Sequence, residues 1–379
     1  MSVPTCSDMG YNALTGPIPK ELSALSGLTF LSLEANKLKG SVPEWLGQRL
    51  LKLVNVRLAS NLFSGALPST LGGLKGLQSL DIGSNRLSGH LPSTLQRCQQ
   101  LKQLSVAANQ LSGPVPGWLG RLKQLQVLEL YSNSLSGRIP PSLAGATALV
   151  SIALDSNRLS GPLPPALGNL PSLAALYAAS NSLEGPIPAN FKRLKSLMYF
   201  DLSYNKGING SVPAFLGNLW LLESLAMEHC GLTGPIPPSL GSLKLLVEIF
   251  LGGNSLTGRI PATLGSLESL NKVYLSHNRL TGSIPAQLCR LANVYELQLA
   301  RNELNGTIPT CLTAPPRLKL LDVSHNHLTG KLPPIPKQSN LLFLYAGNCL
   351  DHAASQACPP KSSSPAATPS SSPSSTTSP

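Results

Sequence analysis

Residues 123–147 read KQLQVLELYSNSLSGRIPPSLAGAT, and this stretch decides the fold because close variants of it fill most of the chain. The phrase N-x-L-x-G-x-(I/V/L)-P within it recurs from Asn12 to Asn326, with Cys230 in place of one Asn. The phrase marks about fourteen repeats, most of them 24 residues long and two of them 25. A fixed period of this length predicts a solenoid of stacked repeats rather than two or three globular domains.

Each position of the repeat has a physical role. Leu128 and Leu130 flank Glu129, and because side chains alternate along a strand, L-x-L predicts a short strand with an aliphatic inner face and a variable outer face. Asn133 follows this strand, where its amide is expected to satisfy backbone groups and to form a ladder with its copies. The Gly of the phrase permits a tight bend, and the Pro prevents a competing helix. Stability then comes from stacking, since one repeat cannot bury its own apolar face.

Composition and charge limit the classes of function. Of the 379 residues, 42% are hydrophobic and 12% are charged, and the formal net charge is +12. The basic residues are spread over the repeats without a long run, which predicts a solvated basic surface and argues against nucleic-acid binding. A weak attraction to acidic polysaccharide stays open. The N-terminus has no signal-peptide pattern and no long apolar run exists, so we expect no signal peptide and no transmembrane segment in this chain.

The full phrase LxxLxxLxLxxNxLxGxIPxxLGxL resembles the plant-specific leucine-rich repeat over about residues 7–348. The resemblance implies an α/β-class, right-handed superhelix with short parallel strands and a convex side of 3-10 or irregular segments. The family includes ectodomains of receptor-like kinases, receptor-like proteins without a kinase, and secreted inhibitors of cell-wall-degrading enzymes. Their inner surface, or a flank of it, binds peptides, hormones, partner ectodomains or foreign proteins. The resemblance therefore implies an extracellular or cell-surface protein.

The two ends of the chain match the family unequally. The segment LYAGNCLDHAASQACPP resembles the family's closing segment, which implies a cap at 349–358 with a Cys349–Cys358 disulfide. The family's Trp-rich segment and cysteine pair are missing before the first repeat, so we expect the solenoid of residues 1–348 to lack its N-terminal cap. Residues 359–379 are rich in Ser, Pro and Thr and are predicted to be disordered. In the family such a tail links the repeats to a membrane span or carries sugars; a simple flexible end is the alternative.

Cysteines and sequons add weaker expectations. Seven cysteines leave at least one thiol unpaired within the chain. Cys289 and Cys311 fall on neighbouring turns away from the strands, so they either form a second disulfide or stay reduced. Asn209 and Asn305 begin glycosylation sequons in turns, where we expect exposure. No CxxC motif or histidine cluster indicates a metal site, and no motif indicates a cofactor.

The outward strand positions predict where a ligand would bind. They are small and polar in the early repeats and become aromatic and acidic from the sixth repeat onward. Aromatic side chains supply contact area at low entropy cost, so we interpret this region as a binding surface. The alternative is that neighbouring rings merely cover one another along the sheet. The residues of this concave patch are Tyr131, Asp155, Tyr177, Tyr199, Asp201, Tyr204, Glu228, His229, Glu248, Phe250, Tyr274 and His277.

Catalysis is not expected. The chain has no HRD or DFG kinase signature, although a full-length relative could carry a Ser/Thr kinase, and no nucleophile with a supporting motif accompanies Asp201 and the patch histidines. The leading hypothesis is a plant receptor ectodomain that presents the concave patch to a peptide or protein ligand, with a co-receptor ectodomain as a further candidate partner. The alternatives are a secreted binding protein, such as a cell-wall enzyme inhibitor, and an intracellular scaffold, which the missing signal segment favours.

Overall fold

The computed structural model describes residues 5–336 and 340–351. In this range a typical repeat runs from a short strand through a tight turn to a second short strand, and then to one helical turn. The first strands of the repeats pair in parallel into one sheet, and the second strands pair into another, with fifteen strands in sequence order in each. The predicted solenoid of short parallel strands with a 3-10 side is therefore confirmed.

The first sheet carries the L-x-L segments, and its strands are three residues long. They are β1 (Cys6–Asp8), β3 (Phe30–Ser32), β5 (Asn55–Arg57), β7 (Ser79–Asp81), β9 (Gln103–Ser105), β11 (Val127–Glu129), β13 (Ser151–Ala153), β15 (Ala175–Tyr177), β17 (Tyr199–Asp201), β19 (Ser224–Ala226), β21 (Glu248–Phe250), β23 (Lys272–Tyr274), β25 (Glu296–Gln298), β27 (Leu320–Asp322) and β29 (Leu342–Leu344).

The second sheet carries the L-x-G segments that follow the repeat Asn, and the sequence pattern did not predict it. Its strands are β2 (Thr15–Gly16), β4 (Lys37–Gly40), β6 (Leu62–Ala66), β8 (Arg86–Gly89), β10 (Gln110–Pro114), β12 (Ser134–Gly137), β14 (Arg158–Pro162), β16 (Ser182–Gly185), β18 (Gly207–Ser211), β20 (Gly231–Pro235), β22 (Ser255–Gly258), β24 (Arg279–Gly282), β26 (Glu303–Thr307), β28 (His327–Gly330) and β30 (Cys349–Leu350).

The helical turns follow the repeat Pro, whose extended backbone conformation starts most of them. One is a short α-helix, α1 (Trp45–Arg49), in a repeat of 25 residues. The others are 3-10 turns at Lys20–Ala24, Ser69–Gly73, Ser93–Arg97, Gly117–Arg121, Pro141–Gly145, Pro165–Asn169, Ala189–Arg193, Ala214–Asn218, Pro238–Ser242, Ala262–Ser266, Ala286–Arg290 and Thr310–Thr313.

A single apolar core runs through the stack from Ile18 to Leu350. Leu128 and Leu130 are fully buried, whereas Glu129 between them is partly exposed on the outer face. Since each repeat contributes a similar aliphatic layer, each inner layer is covered by the repeats on both sides. The first sheet therefore presents a fixed scaffold of backbone on which the outward side chains can vary.

The predicted asparagine ladder is confirmed. Asn157 Nδ2 donates to the carbonyls of Leu154 (3.0 Å) and Asp155 (3.1 Å) in its own repeat. It also donates to the carbonyl of Leu130 in the preceding repeat (3.0 Å), and its Oδ1 accepts the N–H of Leu135 there (2.9 Å). Each such amide thus satisfies a turn and joins two repeats at the same time.

Cys230 interrupts the ladder, and the repeat before it is adapted to the change. The thiol of Cys230 lies 3.4 Å from the carbonyl of Leu202 and 3.5 Å from that of Glu228, so it replaces only the donor part of an Asn. Burial raises the pKa of this thiol to about 11, which keeps it protonated. In the preceding 25-residue repeat, the N–H of Ile208 donates to the carbonyl of Asn205 (3.0 Å) instead of to a ladder side chain.

The turn also uses a backbone conformation that the sequence pattern did not reveal. The residue just before the ladder position has a positive φ near 50° in thirteen repeats although it is not glycine. At Ser156 this φ is 53°, and its N–H donates to the carbonyl of Ala179 in the next repeat (2.9 Å). The inter-repeat hydrogen bonds offset the cost of the left-handed conformation. The predicted Gly bend is also present, with φ at +75° in Gly137.

The C-terminal end differs from the expected repeat count. The closing segment adds a fifteenth layer, in which β29 and β30 extend both sheets and Asn348 joins the ladder. Cys349 lies in β30, but the proposed partner Cys358 and the predicted tail of residues 359–379 lie outside the described residues. Away from both sheets, in two neighbouring 3-10 turns, a disulfide joins Cys289 and Cys311, whose Cα atoms are 5.6 Å apart.

Replacing one ladder residue tests its role in stability. We expect Asn157→Ala to lower the free energy of unfolding by about 2 kcal/mol, because it leaves the N–H of Leu135 without its partner and removes three hydrogen bonds donated to backbone carbonyls. Chemical denaturation followed by circular dichroism measures the change. Asn169→Ala is the control, since this exposed Asn only accepts a hydrogen bond from Arg193, and its cost should stay below about 0.5 kcal/mol. Equal effects of both changes would contradict the assigned role.

Candidate functional site

Strand register brings the central residues of the concave patch into one row across the first sheet. Tyr177 lies opposite Asp201, Asp201 opposite Ala226, and Ala226 opposite Phe250. Phe250 in turn lies opposite Tyr274. All five side chains point to the outer face because they occupy the same position of their strands. Residues that are far apart in sequence therefore form a continuous surface over five repeats.

The aromatic residues of the patch pack in pairs and still remain accessible. Tyr204 is 53% exposed and Tyr131 is 40% exposed. The interpretation that neighbouring rings cover one another thus describes part of the packing, while open ring faces remain for contact with a partner. The ring pairs are Tyr177–Tyr199 (6.4 Å between centroids, stacked), Tyr204–His229 (4.9 Å, stacked) and Phe250–Tyr274 (4.8 Å, edge to face).

Small side chains between the rings form a depression of about 400 Å³ in the patch. Alanine and serine occupy outward positions where longer side chains would fill the surface. The depression is open along the sheet, so its shape suits an extended chain or a protruding side chain better than an enclosed small molecule. Its lining residues include Tyr177, Ala179, Asp201, Ser203, Tyr204, Ser224, Ala226, Glu228, Glu248 and Phe250.

Three carboxylates in or beside this depression, those of Asp155, Asp201 and Glu228, form no ion pair with a cationic side chain among the described residues. Burial raises the pKa of Asp155 to about 6, although its carboxylate accepts the N–H of Ala179 (2.8 Å) and the charge of Asp201 adds to the effect. Burial also raises the pKa of Glu228, again with a contribution from Asp201. The negative charges of Asp155 and Glu228 are therefore held at a cost, which a cationic ligand group would relieve.

Other charges in the patch are internally balanced. Lys272 Nζ lies 3.0 Å from Glu248 Oε1, which forms an ion pair on the outer face. His277 has a lowered pKa because of burial, with a further contribution from the positive charge of Arg301. The excess of negative charge is thus concentrated at Asp155, Asp201 and Glu228.

Two glutamates that the sequence pattern did not single out position the patch tyrosines. The hydroxyl of Tyr199 donates to Glu223 Oε2 (2.6 Å), and the hydroxyl of Tyr274 donates to Glu296. The hydrogen bond to Glu223 raises the pKa of Tyr199, and burial followed by the bond to Glu296 raises that of Tyr274. Both phenols stay protonated and fixed in orientation. Each glutamate lies one repeat after its tyrosine, 24 residues on for Tyr199 and 22 for Tyr274, so these partners become visible only once it is known which repeats are in contact.

The remaining predicted residues lie in different places. Tyr131 is outside the three ring pairs and does not line the depression. The sequon residues Asn209 and Asn305 are exposed, as expected, but they lie in β18 and β26 rather than in turns. They occupy outward positions of the second sheet, since the segment after the repeat Asn forms a strand.

The geometry of the patch suits the binding of a partner. Within residues 5–336 and 340–351, no group of three or more His, Cys, Asp or Glu residues is arranged to hold a metal ion. In the same residues, no helix is both long enough and apolar enough to cross a bilayer. What the site offers is a hydrophobic row, open ring faces and unbalanced negative charge.

Similarity to known proteins agrees with this description. Models of the leucine-rich repeat match residues 52–111, 99–159, 221–243 and 269–328. Receptor-like protein 32 of Arabidopsis thaliana is 39% identical over 72 residues, which are 19% of this chain and 8% of that protein.

Solved structures show the same fold over most of the chain. The PEPR1–AtPEP1 complex matches with a TM-score of 0.87 and 36% identity, over 91% of this chain and 48% of that chain. The Arabidopsis receptor kinase HAESA, in complex with the peptide hormone IDA and the co-receptor SERK1, matches with a TM-score of 0.63 and 29% identity, over 91% of this chain and 70% of that chain. The chain thus spans about half the length of the PEPR1 chain.

The raised pKa of Asp155 predicts a specific pH dependence of stability. Between its ordinary value of 3.8 and about 6, the folded state binds more protons at this group than the unfolded state. The contribution of Asp155 to stability therefore rises as the pH falls from about 6 to about 4. We expect Asp155→Asn to raise the free energy of unfolding by about 1 kcal/mol near pH 7, after solvent screening is allowed for, and to have little effect near pH 4.

Denaturation series at several pH values measure this difference. Asp81→Asn is the matched control, because Asp81 also accepts a backbone N–H, from Gly83, but lies outside the concave patch. If Asp155→Asn lowers the free energy of unfolding equally at both pH values, burial of the ionised Asp155 carboxylate does not destabilise the folded state.

Proposed function

This chain belongs to the leucine-rich-repeat family, of the plant type found in receptor ectodomains, and on that premise we propose that it is a recognition module that binds a peptide or protein ligand through the concave patch. The observation that carries the proposal is the row from Tyr177 through Asp201 to Phe250, which combines open ring faces with unbalanced carboxylates. Such a row suits an extended ligand that alternates apolar and cationic side chains.

The relatives support a ligand of this class. PEPR1 is solved with AtPEP1, and HAESA is solved with the peptide hormone IDA and the co-receptor SERK1. By analogy, we infer that this chain binds a peptide or small protein at the cell surface, and that a co-receptor ectodomain is a candidate second partner. Catalysis is not part of the proposed role.

The cysteines and the sequons fit the same setting. We propose a Cys349–Cys358 disulfide, as the family resemblance implies. The exposure of Asn209 and Asn305 supports glycan attachment at both sequons. The Cys289–Cys311 disulfide supports an oxidising compartment.

The proposal predicts which side chains carry binding. We expect wild-type protein to select cationic, aromatic-containing sequences from an array of synthetic peptides graded in net charge. The triple variant Tyr177→Ala, Phe250→Ala and Tyr274→Ala should bind the selected peptide about tenfold more weakly or worse, because buried aromatic contacts dominate such interfaces. Titration calorimetry measures the affinity, and circular dichroism checks the fold.

A matched control replaces three exposed aromatic residues outside the patch, with Tyr11→Ala, Trp220→Ala and Tyr295→Ala. This variant should bind the peptide as wild-type protein does. A folded patch variant with full affinity, or a control variant with the same loss, would show that the ligand binds elsewhere.

A further inference from the structure

The second sheet has a surface of its own, distinct from the concave patch. Counting the repeat of Asn12 as the first, this surface is basic in repeats two to seven, which are those of Asn36 to Asn157. Its outward positions alternate with buried residues such as Leu87 and Leu135. Throughout this stretch they include six basic residues and a series of serines, with no acidic residue. We call this surface the basic flank. Its basic residues, all exposed, are Lys37, Lys39, Arg86, His90, Arg138 and Arg158, and its serines are Ser64, Ser88, Ser112, Ser136 and Ser160.

Arg138 and Arg158 form the centre of the flank. Ser136 on β12 pairs with Arg158 on β14, and the next outward position, directly after the end of β12, is Arg138. The side chain of Arg138 crosses to β14, because its Cγ and Nε lie 2.9 Å and 3.0 Å from where a Cβ of Gly161 would stand. A side chain at Gly161 would block this path. Two guanidinium groups therefore lie in adjacent repeats of the second sheet, close to serine hydroxyls.

These arginines have no internal counterion. The ion pairs among the described residues are Arg57–Glu34 and Lys272–Glu248, and neither lies on the flank. The cationic groups of the flank are therefore free to bind an external anion, and they face solvent at β4, at β8 and at the adjacent strands β12 and β14. An uncompensated group of this kind attracts polyanions at long range.

A second arginine pair farther along the sheet shows what distinguishes the basic flank. Arg259 and Arg279 occupy equivalent positions, and Arg279 pairs with Thr257. There, however, the neighbouring Thr281 lies opposite Glu303, which brings a carboxylate next to the pair. At the corresponding place beside Arg138 and Arg158 the residue is Ser182, which is uncharged; the nearest carboxylate on that strand, Glu184, lies two residues farther along, opposite Pro162, and forms no ion pair with either arginine. An anionic ligand should therefore favour the flank of repeats two to seven.

We propose that the basic flank binds a linear polysaccharide that carries carboxylates, such as a polymer of uronic acids. Guanidinium groups pair with carboxylates through parallel hydrogen bonds, and the serine hydroxyls can exchange hydrogen bonds with sugar hydroxyls. From β4 to β14 the flank spans roughly 24 Å, since neighbouring strands lie about 4.8 Å apart. A line of charges of this length fits a polymer better than a single small anion.

Other polyanions fit the flank less well. Its outward positions carry no Phe, Tyr or Trp in repeats two to seven, so unstacked nucleic-acid bases would find no aromatic platform. The serines supply hydroxyls at regular intervals, which match a polymer whose every unit carries hydroxyls. The flank and the concave patch are on different sheets, so this binding is independent of the proposed peptide recognition.

Binding of polygalacturonate to the full chain tests the proposal. We expect Arg138→Gln with Arg158→Gln to weaken binding about tenfold, because each guanidinium loses a charge-assisted contact. The matched control, Arg49→Gln with Arg97→Gln, removes the same charge from exposed helical turns and should bind as wild-type protein does. Biolayer interferometry at a series of salt concentrations measures both affinity and its salt dependence.

Four further measurements make the result decisive. Methyl-esterified polygalacturonate, which keeps the sugar and removes the charge, should not bind, and the aromatic triple variant of the concave patch should bind polygalacturonate normally. The proposal is overturned if both arginine double variants lose affinity equally, or if the esterified polymer binds as well as the acid. Equal affinity for single-stranded DNA or for vesicles of anionic lipid would also overturn it, since the flank would then be a general polyanion surface.

Discussion

The side-chain amide of the repeat asparagine is the interaction on which the rest of the structure depends. Its donors reach carbonyls of two successive repeats, and its oxygen accepts a backbone N–H of the earlier one, as at Asn157. Without these bonds the turn after each strand of the first sheet would leave buried backbone groups unsatisfied. Apolar stacking supplies most of the stabilising free energy, but it does not fix the register of one repeat on the next. The amide does, because its partners lie at fixed positions in both repeats.

Because the core and the ladder stabilise the stack, the side chains on the outer faces of both sheets are not needed for stability. Core leucines and ladder amides are nearly constant along the chain, so the outward positions can differ from repeat to repeat at little cost in stability. The concave patch and the basic flank both arise in this way. The one ladder position among residues 12–348 that is not Asn, Cys230, is compensated within the preceding repeat. At Cys230 the thiol donates but cannot replace the amide oxygen, and the extra residue of the preceding repeat gives Ile208 another acceptor.

The sequence was sufficient to predict the features that depend on spacing alone. The L-x-L pattern predicted the buried positions around Glu129, and the recurring Asn predicted the ladder. The second sheet was not predicted, because its strands contain Gly and precede Pro, residues that are depleted in isolated strands. They pair here because adjacent repeats hold them in register. The positive φ at Ser156 was also hidden, since a non-glycine residue gives no local signal for it. The concave patch residues followed from strand alternation, but their partners Glu223 and Glu296 required knowledge of which repeats touch.

The distribution of charge shows why a net value describes this protein poorly. The formal charge of +12 would suggest one basic surface. The first sheet instead concentrates unpaired carboxylates at Asp155, Asp201 and Glu228, while the second sheet concentrates arginines at Arg138 and Arg158. Charges of opposite sign on separate sheets favour partners of opposite charge, since like charges repel at long range. The two proposed ligands would therefore bind to different faces of the solenoid.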